Sequence, residues 1–147
     1  MNPFQSLRDY ESFVYKLKQQ FTIIQRSTLV VVPRGRRTAI LQGELFFSGG
    51  YRLTVKERLS VDSGTVRIEF YGYEMWHQSN KFAWYDAQPH PNDPALASTH
   101  PHHKHILPDI KRNRVPAPDM SFERPNLPVL IAEFEELIEG EENDAQE

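Results

Sequence analysis

The sequence predicts an α+β fold: an antiparallel β-meander of about five strands packed with an N-terminal and a C-terminal helix. Three observations predict it. Apolar residues recur at helical spacing near both ends of the chain, and five runs rich in β-branched and aromatic residues lie between them. Short clusters of Gly, Pro, Asn, Asp and Ser separate those runs. A chain of 147 residues suits one domain with a single core, placed here at residues 1–140 ahead of an acidic disordered tail at 141–147.

Leu7, Tyr10, Phe13, Val14, Leu17 and Phe21 line one face of a helix from about residue 4 to residue 20, with Pro3 at its start and Ser6 placed to cap it toward Asp9. From Phe21 the period changes. FTIIQRSTLVVV stops at Pro33-Arg34-Gly35, RTAILQGELFF at Ser48-Gly49-Gly50, and YRLTVKERLSV at Asp62-Ser63-Gly64. TVRIEFYGYEMW follows, then a turn over His77–Asn80 and the run KFAWYDA. Strands joined by turns this short pair antiparallel and leave one face for the helices to cover. The segment from Leu107 to Asn126 shows no clear period and reads as a long loop. Leu130, Ile131, Phe134, Leu137 and Ile138 then give a second helix ending near Gly140.

With no cysteine, disulfides and thiolate metal sites are excluded. No apolar run reaches the roughly 20 residues of a membrane span, and the N-terminus lacks a basic flank followed by a hydrophobic core, so a soluble cytoplasmic protein with no membrane partner is expected. The net charge of −3 conceals a segregation: eight of the twenty acidic residues fall between Glu133 and Glu147, where there is no Lys or Arg. The remaining twelve face seventeen basic residues, so the body is basic and suited to a polyanion such as RNA.

Five of the six histidines, His90, His100, His102, His103 and His105, lie between Trp84 and Ile106 among Pro89, Pro91, Pro94 and Pro101. Proline at that density removes backbone donors and predicts an ordered loop. Imidazoles take and give protons near neutral pH, and Lys104 adds a fixed cation among them.

The order of elements and four stretches carry a family resemblance. Val55-Lys56-Glu57, Tyr71-Gly72-Tyr73-Glu74-Met75-Trp76, Asp86-Ala87-Gln88-Pro89-His90 and Pro101-His102-His103-Lys104-His105 resemble the TumE family of toxins from type II toxin–antitoxin modules. The P-H-H-K-H tract after D-x-x-P-H is the specific part of the match. The resemblance implies growth inhibition neutralised by a cognate antitoxin, usually a helix-turn-helix protein, with RNA as a plausible target.

Metal-independent RNA cleavage needs a base for the 2′-hydroxyl, an acid for the departing oxygen and cations on the phosphate. Glu57, Asp86, His90, His103 and His105 are the candidate catalytic residues, with no cofactor. Arg52, Arg58, His102 and Lys104 are candidates for holding the phosphate, and Tyr71 and Tyr73 for stacking on or bonding a base. In extended chain His103 and His105 share one side, His102 and Lys104 the other. Two alternatives stay open. Asp86, His90, His103 and His105 supply enough donors for zinc or manganese, with Lys104 beside them as the objection; or the basic face binds RNA or antitoxin without cutting. An open sheet edge also suits antitoxin docking or a homodimer.

Overall fold

The computed structural model describes residues 2–146. It is an α+β fold whose antiparallel sheet has eight strands, more than the five or so expected. They are β1 (Arg26–Ser27), β2 (Val30–Pro33), β3 (Thr38–Phe46), β4 (Tyr51–Ser60), β5 (Arg67–His77), β6 (Asn80–Asp86), β7 (His103–Ile106) and β8 (Arg114–Pro116). From β3 to β8 each strand pairs with the next in sequence, and β1 and β2 both lie against β3. Gly43 makes that shared edge feasible. Its φ is +139°, and a Cβ there would lie 2.6 Å from the Thr28 carbonyl oxygen in the link between β1 and β2.

Three differences from the sequence reading have local causes. The N-terminal helix is broken: a 3-10 turn at Pro3–Gln5 precedes α1 (Leu7–Tyr15), capped as expected by Ser6 accepting from the Asp9 N–H at 3.0 Å, and Lys16 separates it from the short α2 (Leu17–Gln20). The histidine tract is a loop only in part: His90, His100 and His102 lie outside the strands, among turns that include the 3-10 turn Pro94–Thr99, whereas His103–Ile106 is extended. Its prolines stand outside the four residues His103–Ile106, whose backbone donors are intact, so that piece joins the ladder as β7. The aperiodic segment after Leu107 contributes β8, which tolerates Pro116 because it is an edge strand. The last helix, α3 (Leu127–Gln146), runs through Gly140 instead of stopping there, so residues 141–146 of the expected tail are helical; Glu147 lies outside the described residues.

Both long helices cover one face of the sheet. Burial alternates along β4, with Tyr51, Leu53, Val55, Glu57 and Leu59 turned inward. Tyr10, Val14 and Leu17 pack on them from α1 and α2, and Leu130, Ile131, Phe134 and Ile138 from α3. Phe134 has no exposed surface and stacks on Phe47 at 4.5 Å between centroids. A Phe134→Ala change there would cost about 3–5 kcal/mol. The other face, with Arg52, Thr54, Lys56 and Arg58 from β4, is the more exposed along that strand.

Candidate functional site

Strand alternation decides which side chains meet. Asp86 pairs with His103 and Trp84 with His105, so these four project from the face of β6 and β7 opposite the helices. There the two imidazoles converge on one carboxylate. His103 Nε2 lies 2.9 Å from Asp86 Oδ1, His105 Nε2 lies 3.4 Å from Oδ2, and the two nitrogens are 3.2 Å apart. Each ring is fixed from behind by its other nitrogen: His103 Nδ1 donates to the Pro101 carbonyl at 3.1 Å and His105 Nδ1 to the Ile110 carbonyl at 2.8 Å. Asp86 is fixed as well, accepting from the Trp84 indole N–H and the Gln88 backbone N–H, both at 2.9 Å. The Trp84 ring stacks on His105 at 3.8 Å.

Electrostatics divide the pair. Burial alone would raise the Asp86 carboxyl, but hydrogen bonds from His103, Trp84 and Gln88 outweigh it and hold the group well below the usual carboxylate range. For His103, burial opposes the charge, yet the Asp86 carboxylate and the Pro101 carbonyl overcome it and raise the imidazole above its ordinary value. Burial wins at His105, which is lowered despite Ile110 and Asp86. One imidazole therefore holds its proton while its neighbour offers a lone pair. Access is narrow: the His103 side chain is 1% exposed and Asp86 19%.

His90 stands at the rim, its ring 4.9 Å from that of His103. Arg114 donates to His90 Nδ1 at 2.7 Å, and burial followed by that guanidinium lowers the His90 pKa. Three donors, one each from Asp86, His103 and His105, lie within 4.8 Å of one another and are the group among the described residues that can hold a metal ion.

The single cleft expected to join Glu57 to these imidazoles is divided in two by the sheet. Glu57 pairs with Tyr71 in register and faces the core, where it accepts from the Tyr10 and Tyr73 hydroxyls at 2.5 Å each. Asp86 pairs with Gly72, one residue on, and so points the opposite way. Tyr73 also accepts from the Asn126 amide at 3.1 Å and stacks on Tyr71 at 4.8 Å. Tyr71 meets His102 Nδ1 at 2.7 Å, and burial lowers the His102 pKa. Lys104 turns to the helix side too, bonding Glu133 of α3 at 2.9 Å, while the Tyr85 hydroxyl takes the other carboxylate oxygen at 2.6 Å.

Arg52 and Arg58 are on the face opposite the helices, with the site. Arg52 pairs with Glu44 at 2.9 Å and lies 4.5 Å over the Trp76 ring; Arg58 sits 3.6 Å from Glu69 and 5.9 Å over Phe70. Sequence reasoning missed four contributors. Trp84, two residues before Asp86, and Lys56, two before Arg58, were readable from strand alternation. Gly72 leaves an open floor beside Asp86, with nothing within 4 Å of where its Cβ would be. Arg114 had no local signal, because only the β7–β8 pairing brings it opposite His105.

A meander with helices on one face and a His–Asp cluster beside arginines and a lysine on the other defines a class: a small α+β protein with a polar, cationic patch opposite its helices. The family model described as Toxin TumE matches residues 14–138, which include every residue of the cluster, and the chain belongs to that family. That membership makes it the toxin component of a toxin–antitoxin pair. No curated protein and no solved structure matches the chain. Among the described residues, no helix is long and apolar enough to cross a membrane.

Proposed function

We propose that this toxin stops growth by cutting RNA in the cytoplasm, with Asp86, His103 and His105 as the reacting cluster, until a cognate helix-turn-helix antitoxin of a type II module neutralises it. The observation that carries the reading is the unlike pair of imidazoles on Asp86, one raised and one lowered in pKa, at 2.9 and 3.4 Å. Nitrogens 3.2 Å apart cannot flank a phosphorus atom from opposite sides. They serve one end of the reaction. His105 Nε2 accepts the 2′-hydroxyl proton as that oxygen bonds to phosphorus, Asp86 stabilises the charge created, and the departing 5′-oxygen takes a proton from solvent as its bond breaks. Arg114 at the rim and Lys56 and Arg58 across the open floor at Gly72 supply cations for the phosphates.

The test is direct: purified toxin is incubated with single-stranded RNA and the products are resolved on a gel. Wild type yields fragments and His105→Ala loses at least about 100-fold in rate. RNA left intact by a preparation that still arrests growth would remove RNA cleavage as the activity.

A further inference from the structure

We propose that Asp86, His103 and His105 form a binding site for one divalent transition-metal ion, zinc being the best fit. The inference rests on the reading above in taking this cluster as the working site, with His105 Nε2 becoming a ligand in the loaded protein and a metal-bound hydroxide taking over its part as base; the binding itself is measured without RNA.

The geometry of the donors carries it. Zinc holds nitrogen and oxygen donors at about 2.0–2.1 Å in a tetrahedron, which places neighbouring donors about 3.3 Å apart. Here the two Nε2 atoms are 3.2 Å apart, one lies 2.9 Å from Asp86 Oδ1 and the other 3.4 Å from Oδ2, and one donor from each residue lies within 4.8 Å of the other two, close enough for a single ion to draw all three together. The rings are also oriented as ligands are. Each Nδ1–H is given to a backbone carbonyl, of Pro101 or of Ile110, which fixes the ring and aims Nε2 at the shared centre. An ion bound here would displace the proton that His103 otherwise holds toward Asp86 and put both Nε2 lone pairs on one centre. Asp86 is held by Trp84 and Gln88, the outer contacts that keep a ligating carboxylate in place.

Lys104, the objection raised by the sequence, turns to the other face and bonds Glu133. The nearby guanidinium, Arg114, is directed to His90 Nδ1, so His90 does not offer that nitrogen as a fourth ligand. Three protein donors with a fourth position left to water or a phosphate oxygen is the pattern of catalytic zinc sites, as opposed to structural ones. A zinc ion there would make a bound water acidic or polarise a phosphoryl oxygen.

The protein is stripped with EDTA, dialysed and titrated with zinc chloride by calorimetry, alongside His103→Ala, His105→Ala, Asp86→Asn and the control His100→Ala, an exposed histidine of the same tract. The expected result is one zinc per chain, lost in both cluster histidine variants, weakened at least about tenfold in Asp86→Asn and unchanged in His100→Ala. No saturable binding by wild type, or equal binding by the His103→Ala/His105→Ala double variant, would overturn the site. Should the histidine variants fail to fold, cobalt(II) added to wild type decides the matter: a visible absorption band of tetrahedral cobalt supports the site and its absence refutes it. Zinc binding without RNA cleavage would count against the proposed activity alone, and RNA cleavage without zinc binding against the site alone.

Discussion

Glu57 and Asp86 are two carboxylates on neighbouring regions of one sheet, and they differ in almost every electrical respect. Glu57 faces the helices, wholly buried, and is pushed up to about 7 by that burial even though two tyrosine hydroxyls donate to it. Asp86 faces away from the helices, and its hydrogen bonds from His103, Trp84 and Gln88 hold it far on the ionised side. Burial raises both. Two things separate them: Glu57 has lost all its water whereas Asp86 keeps 19% of its side-chain surface, and Asp86 has an imidazolium among its donors where Glu57 has only hydroxyls. Glu57 thus belongs to the core's hydrogen bonding and Asp86 to the His–Asp cluster on the opposite face.

The largest expected effect comes from breaking the core half of that contrast. Glu57→Ala strands the Tyr10 and Tyr73 hydroxyls in a cavity and lowers stability by about 3–5 kcal/mol, read from the urea midpoint; a loss under about 1 kcal/mol would show the hydroxyls finding other partners. Next comes pH. The folded chain keeps the Glu57 proton to about pH 7 while an unfolded one releases it near 4.5, so the unfolded state gains as pH rises between these values. Stability falls by on the order of 3 kcal/mol across that window from this group. His90, His102 and His105, each lowered, act in the opposite sense near their ordinary value of 6.5, so the comparison is wild type minus Glu57→Gln: a flat difference curve would refute the raised carboxyl.

Breaking the other half has a smaller structural and larger chemical cost. Asp86→Asn lowers stability by about 1–2 kcal/mol and RNA cleavage by about 100-fold, measured by denaturation and initial rates. It also removes two pH dependences: the stabilisation from Asp86 that fades as pH falls below about 4, and that from His103 that fades as pH rises above about 6.5. Smallest of all, Lys104→Met costs below about 1 kcal/mol and leaves cleavage within about twofold, because this cation serves Glu133 on the helix side. A Lys104→Met variant as inactive as Asp86→Asn would return Lys104 to the reacting face.

The parts of the fold that were legible are those set by local pattern. Ser6 and the spacing of Leu7, Tyr10 and Val14 gave α1, and alternation in β4 and β5 gave the meander. Proline misled at the histidine tract, since Pro101 and Pro108 bracket β7 without entering it. In the site, the grouping of His103 with His105 away from His102 and Lys104 follows from alternation alone and needed no coordinates. The companionship of Glu57 did not, because facing depends on the pairing of Glu57 with Tyr71 and of Asp86 with Gly72, and nothing in a single chain announces which of two adjacent residues lies opposite a partner.

The ladder that sets Asp86 against His103 and Trp84 against His105 also fixes how the chain tolerates editing. The cluster is specified by parity, odd or even along β7, and not by the sixteen-residue excursion that separates its carboxylate from its first imidazole. Trimming the middle of that excursion should spare the chemistry so long as Gln88, His90 and Pro101 stay in place and β7 docks unshifted, whereas one residue inserted within the strand would hand the front of the sheet to Lys104 and turn both rings toward the helices.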